Sequence, residues 1–311
     1  MRVTVAALLL YYIFSHIGLN VVYEAIGNID TPQLCVAFLI AIIVELVVSY
    51  RLKRLTDSYN LNLSTMFVFE VNLATRFYGL FLPGGNVTAL LIRIFKFTKE
   101  RSQVASVVMS LLADRVVATL SLCLIGLLFW ALSQPKPDRL WLITFALSTI
   151  GCLILAHIVF NQPQASQLGG MKRLLQRLSP YFWSKFSKLF HRHRPTGNKI
   201  FLNSFSLSLV AHLLGIICYW FIAQSLDMSL SLLVIAWIRS GIILLTLLPI
   251  TIAGLGVREV SALLLLQPYG IEPDIIIAFS ILVFATTIFG IGLLGGLTEA
   301  WRLTIGKQQT A

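Results

Sequence analysis

Apolar runs of nearly 20 residues recur from one end of the chain to the other. They include Val3–Val22, Leu34–Tyr50, Val104–Leu132, Leu140–Phe160, Phe201–Ala223 and Ile275–Leu297. A helix of that length crosses the roughly 30 Å hydrocarbon layer of a bilayer. Charged residues make up 12% of the chain and hydrophobic ones 57%, whereas a soluble domain carries about 25% charge. The expected fold is all-α: one polytopic membrane helix bundle over residues 1–311, with about six full spans.

Charge placement orients the runs. Residues 161–200 carry Lys172, Arg173, Arg177, Lys185, Lys188, Arg192, Arg194 and Lys199 and no acid. Basic loops stay on the cytoplasmic side, so this loop and both termini are expected there, in a plasma (inner) membrane. Nucleic acid is a poor partner for a loop held between spans. Met171, Leu174, Leu175 and Leu178, then Phe182, Phe186, Leu189 and Phe190, recur among the bases at helical spacing. That pattern reads as an amphipathic segment in the headgroup layer, with a solvated basic linker as the other reading of its first half. Val3–Val22 is longer than a signal-peptide core and reads as a retained helix. Cys35, Cys123, Cys152 and Cys218 share no metal-ligand or disulfide spacing. No metal or cofactor is expected.

Two segments break the pattern. Leu63–Leu82 carries Glu70, Asn72 and Arg76 and ends at Pro83-Gly84-Gly85-Asn86; Val87–Phe97 follows with Arg93 and Lys96. A full crossing at 63–82 would put that basic cluster outside, so residues 63–97 read as a re-entrant hairpin from the cytoplasm. Residues 231–267 repeat the device from the other side. There Ser231–Leu248, with Arg239 near its middle, runs into Pro249, Gly254, Gly256, Arg258 and Glu259, and Val260–Leu266 is too short to cross. Proline stops a helix and glycine permits turns that other residues resist. Broken backbone at membrane depth is tolerated where it is buried in protein or lines a wet cavity. A plain surface loop is the alternative for the second break.

Interrupted segments in two oppositely oriented halves point to a transporter site near the midplane, an inverted repeat in outline. Half-helices beginning at the breaks turn unpaired N–H groups inward, and arginine adds a planar fork suited to phosphate. The expected substrate-binding set is Pro83, Gly84, Gly85, Asn86, Arg93, Asp114, Arg115, Arg239, Pro249, Gly254, Gly256, Arg258 and Glu259. Asp114 and Arg115 point about 100° apart on one helix and do not pair. Glu70 and Arg76, six apart, need partners from elsewhere. Arg51 marks the inner face, and His16, His157 and His212 read as helix contacts more readily than as proton relays.

The same residues carry a resemblance. Leu82-Pro83-Gly84-Gly85 with Arg93, then Leu112-Ala113-Asp114-Arg115, then Leu248-Pro249-Ile250 through Gly254-Leu255-Gly256-Val257-Arg258-Glu259, with Gly295-Gly296 later, resemble the lysylphosphatidylglycerol synthase transmembrane region family of flippase-like proteins. The similarity covers essentially the whole chain. Asn86-Val87-Thr88 stands where many members have an aspartate or further glycines. The aminoacyl-transferase domain of the full synthase has no counterpart here. The resemblance implies movement of a lipid between leaflets, of aminoacyl-phosphatidylglycerol or polyprenyl-phosphate type, and no synthesis. One alternative is a subunit that binds an anionic lipid and presents it to a separate lipid-modifying enzyme. Another is a relative of polyprenyl-phosphate glycosyltransferases, which needs clustered acids; no Asp-x-Asp occurs and the thirteen acids are scattered.

Overall fold

The computed structural model describes residues 27, 29–82, 85–134, 137–160, 198–247, 254 and 256–308. The expected first span, the basic amphipathic loop 161–197, Pro83, Gly84 and residues 248–253, Pro249 among them, lie outside the described residues. Every regular element among the described residues is helical. In chain order these are α1 (Thr31–Ser58), α2 (Thr65–Phe81), α3 (Asn86–Glu100), α4 (Val104–Leu132) and α5 (Arg139–Phe160). They continue with α6 (Asn198–Gln224), α7 (Leu232–Thr246), α8 (Val257–Leu266), α9 (Pro273–Phe284) and α10 (Ile291–Gln308).

Among the described residues, five stretches are long and apolar enough to cross: α1, α4, α5, α6, and Pro273–Arg302, which joins α9 to α10. A π-helical turn, Ala285–Gly290, interrupts that last crossing, which the sequence alone reads as continuous. The hairpin helices are shorter. α2 has 17 residues, α3 and α7 have 15 and α8 has 10, so at 1.5 Å per residue they reach about 15–25 Å.

Local chemistry explains where they start. Ser64 caps α2 by accepting from the Phe67 N–H at 3.2 Å, and Ser231 caps α7 by accepting from Val234 at 3.3 Å. The second helix of each hairpin starts instead from glycine with positive φ. Gly85 (φ 54°) precedes α3, and Gly254 (φ 76°) and Gly256 (φ 82°) precede α8. A side chain at these positions is strained, so the glycines fix where each chain turns.

Contacts between helix ends give the bundle two poles. Arg101 donates to the Leu61 carbonyl at 2.9 Å, and Phe160 packs on Phe201, at the pole that carries Lys96, Lys99 and Arg101. At the opposite pole the Asp30 N–H donates to the Ser225 carbonyl at 3.2 Å. Each pole has an apolar core. Leu52, Leu55, Val68, Phe97 and Val107 pack near the basic pole; Tyr219, Trp237, Phe279 and Leu265 pack near the other. α10 lies on α2 through glycines, because a Cβ at Gly295 would overlap the Leu73 carbonyl. Small residues let membrane helices approach that closely.

Candidate functional site

Polar side chains gather in two clusters. The first involves α1, α2, α3, α4 and α6. The sequence reading ends the first described span at Tyr50, but α1 continues for two more turns because apolar positions at helical spacing, Leu52 and Leu55, are fully buried. Arg51 is therefore not a surface marker. It is 3% exposed, grips Asp114 with two nitrogens at 2.8 and 3.1 Å, and donates to Ser208 at 2.9 Å. Ser208 pairs with Ser121 at 2.6 Å. Such a bidentate pair is the strong form of a charged hydrogen bond.

Asp114 turns inward, and its neighbour Arg115 is exposed on another side of α4. Arg115 lies within electrostatic reach of Arg51, Asp114 and Arg76. Arg76 bonds Glu45 at 3.1 Å, with 43% of the arginine side chain exposed and 5% of the glutamate. Arg93 donates to Thr75 at 3.0 Å, has no partner for its Nε, and feels Asp114, Glu45, Arg115 and Arg76. Four arginines thus face two carboxylates. Counting 1.5 Å per residue from the basic-pole ends of their helices, Arg51, Arg76, Arg93 and Arg115 lie about 10–17 Å deep. Arg76 and Arg115 are exposed at that depth, and Arg93 is half-buried. Nearer the pole, Lys96, Lys99, Arg302, Glu299 and Tyr78 line a cleft of about 520 Å³. There Lys96 bonds Glu299 at 2.6 and 2.7 Å, and Arg302 bonds Glu70.

The second cluster involves α6–α9. The Glu259 carboxylate accepts from the Gly256 N–H at 2.6 Å, from Arg258 at 2.8 and 3.2 Å and from Ser280 at 3.1 Å. An acid in the first turn also suits the positive end of the helix. Arg258 lies over the Phe284 ring at 4.7 Å and is 3% exposed. It is enclosed, where the sequence reading places it on an open cavity: the gap it shares with Tyr219, Ser280 and Phe279 does not admit a water molecule. Arg239 is 7% exposed and stacks on Tyr219 at 5.2 Å. Its Nε and Nη1 have no partner.

The expected residues therefore divide. Arg93, Asp114 and Arg115 belong to the first cluster, and Gly85 and Asn86 begin the helix that carries Arg93. Arg239, Gly254, Gly256, Arg258 and Glu259 belong to the second. The two clusters have no hydrogen-bonding residue in common among those described. Sequence reasoning missed Arg51, Arg76 with Glu45, Ser208 and Tyr219. For Arg51 the signal was present, since the helical spacing of leucines runs on past it.

Two short hairpins broken at glycine, opposed across a bundle and each carrying arginine, make an arrangement that can be compared with known families. No curated protein matches the chain. The family model described as the lysylphosphatidylglycerol synthase TM region matches residues 1–295, which takes in both hairpins, the Asp114-Arg115 motif and the glycine seam of α10. A match of that extent makes this multi-pass membrane protein a member of the lysylphosphatidylglycerol synthase TM region family.

Proposed function

We infer that the protein moves a phosphate-bearing anionic lipid between leaflets, the basic pole facing the cytoplasm of a plasma (inner) membrane. The observation that carries this reading is the membrane-depth group of Arg51, Arg76, Arg93 and Arg115, drawn from four helices, outnumbering its two carboxylates and exposed at Arg76 and Arg115. Charge at membrane depth is costly and is kept where it serves a pathway. A phosphodiester or polyprenyl phosphate supplies the missing negative charge, and its acyl or prenyl chains stay in the surrounding lipid. Family membership supports a lipid-related role and leaves the headgroup open. No chemistry on the lipid is assigned to the chain; an aminoacylating or other lipid-modifying enzyme is a separate partner.

The test uses the purified chain in phosphatidylcholine vesicles with a trace of fluorescent phosphatidylglycerol, and in a second arm fluorescent polyprenyl phosphate. The expected result is exposure of one probe to an external quencher faster than in empty vesicles. Arg115→Ala and Arg93→Ala should each slow it about tenfold, the loss expected for one charged hydrogen-bonding partner. Exposure of both probes at the empty-vesicle rate overturns transport. If either probe is nevertheless retained on the purified chain, the function is lipid presentation to another enzyme.

A further inference from the structure

We propose that the arginines near the basic pole select a lipid whose headgroup is a phosphate monoester, a dianion, over phosphodiesters and aminoacyl esters. The proposal rests on the transport reading and names the substrate class of the same site. Charge pairing carries it. In this half of the bundle four ion pairs close on themselves: Arg51 with Asp114, Arg76 with Glu45, Lys96 with Glu299 and Arg302 with Glu70. Arg93 and Arg115 are left over at membrane depth, and no carboxylate bonds to either among the described residues. Arg93 donates to the Thr75 hydroxyl, which is neutral and passes its own proton to the Asn72 carbonyl. The Arg93 Nε is buried without a partner. The two guanidinium groups sit on packed neighbours, α3 and α4, within electrostatic reach of each other, and they repel. Uncompensated charge at that depth is costly, and an anion placed between the two removes the cost.

The count fixes the kind of anion. A phosphodiester brings one negative charge and two free oxygens, and leaves one guanidinium unbalanced. A phosphate monoester brings close to two charges at neutral pH and three acceptor oxygens. Each arginine fork engages two oxygens in parallel, so three oxygens serve two forks with one shared. The same pairing works against an aminoacyl ester. Its ammonium needs a carboxylate, and Glu45, Asp114, Glu70 and Glu299 are already bonded to bases of the chain. Aromatic faces are a second way to hold an ammonium, but Lys96 covers Tyr78 and Arg302 covers Phe67. Such a headgroup meets Arg93 and Arg115 instead, and like charge is repelled.

Phosphatidate and a polyprenyl monophosphate share this headgroup, and inorganic phosphate shares it without the chain. The ligand also carries its own readout. A phosphate monoester takes up its second proton at a pH of about 6, whereas a diester keeps one charge throughout, and arginine does not titrate. The charged groups around Arg93 and Arg115 are Arg51 and Glu45 on α1, Arg76 on α2, Lys96 on α3, Asp114 on α4 and Glu299 on α10. On α6, His212 bonds the Ala118 carbonyl at 3.0 Å and lies within electrostatic reach of Arg51, so its titration is controlled for below.

The test follows retention of fluorescent polyprenyl monophosphate on the purified full-length chain in neutral detergent, with unlabelled competitors. At pH 8, phosphatidate should displace the probe at about a tenth of the concentration that phosphatidylglycerol needs, the effect of one more charged hydrogen bond. Lysyl-phosphatidylglycerol should not displace it. No retention of the probe, phosphatidylglycerol matching phosphatidate, or the lysyl ester competing best overturns the proposal. Inorganic phosphate as effective as phosphatidate makes the ligand the free ion, and the lipid assignment fails. Between pH 8 and pH 5 the affinity for the probe should fall about tenfold, with that for phosphatidylglycerol unchanged. His212→Gln should show the same fall; its disappearance there assigns the effect to the imidazole and overturns the proposal. Arg115→Gln and Arg93→Gln should each erase the preference for phosphatidate, and Arg115→Lys should keep part of it. An unchanged preference in both glutamine variants overturns it. If phosphatidylglycerol crosses vesicles and polyprenyl monophosphate does not, the selection fails and transport stands. If the monoester is retained and neither lipid crosses, transport fails and the selection stands.

Discussion

The two broken hairpins use the same backbone device and treat their arginines differently. In α2–α3, the hairpin with its open ends at the basic pole, Arg76 is 43% exposed and takes its carboxylate from another helix. In α7–α8 the partner of Arg258 is the next residue, Glu259, and the pair is 4–5% exposed. One hairpin displays its charge and the other folds its charge away. Identical local grammar, a glycine with positive φ followed by a short helix, therefore says nothing about whether a site is open. Packing of the neighbouring helices decides that.

Thiol accessibility gives the widest separation between the two. In a background with Cys35, Cys123, Cys152 and Cys218 replaced by serine, Arg76→Cys should react with a membrane-impermeant maleimide about a hundredfold faster than Ala262→Cys, since a buried thiol reacts only through local opening. Equal rates would erase the distinction between an open and a closed hairpin. Asp114→Ala leaves Arg51 buried with only Ser208 for company, and should cost about 3–5 kcal/mol of stability, read as a loss of folded protein in detergent melts. The double change Arg51→Met with Asp114→Leu should recover most of it. A smaller effect is expected in the second hairpin. Glu259→Gln keeps an acceptor for the Gly256 N–H but leaves Arg258 uncompensated, and should cost about 1–2 kcal/mol. Added phosphate should then stabilise this variant more than the wild type, measured as the shift in melting temperature. No difference between the two would mean that Glu259 is a cap and nothing more.

Much of this architecture was legible in residue order. Apolar length gave the spans, and proline with glycine gave the breaks between α2 and α3 and between α7 and α8. Partners were not legible. Asp114 finds Arg51 from 63 positions away and Ser208 joins from 157 positions beyond Arg51, and no periodicity encodes such a distance. The end of α1 was misjudged for a related reason. Arg51 looks like an interface residue until a buried carboxylate on another helix accounts for it. Arg239 was singled out as a charge in an apolar run, but only the packed structure reveals that no carboxylate among the described residues bonds to it. The glycine at 215 looks unremarkable in sequence and acquires meaning from the Arg239 guanidinium it admits.

The π-helical turn at Ala285–Gly290 divides the last crossing into halves with different attachments. α9 packs on α8 of the closed hairpin, and α10 packs on α2 of the open one. Both hairpins hang from a single shaft, and the widened turn is a joint set into it. That joint is itself seated against α1, so one helix braces the shaft that both hairpins share.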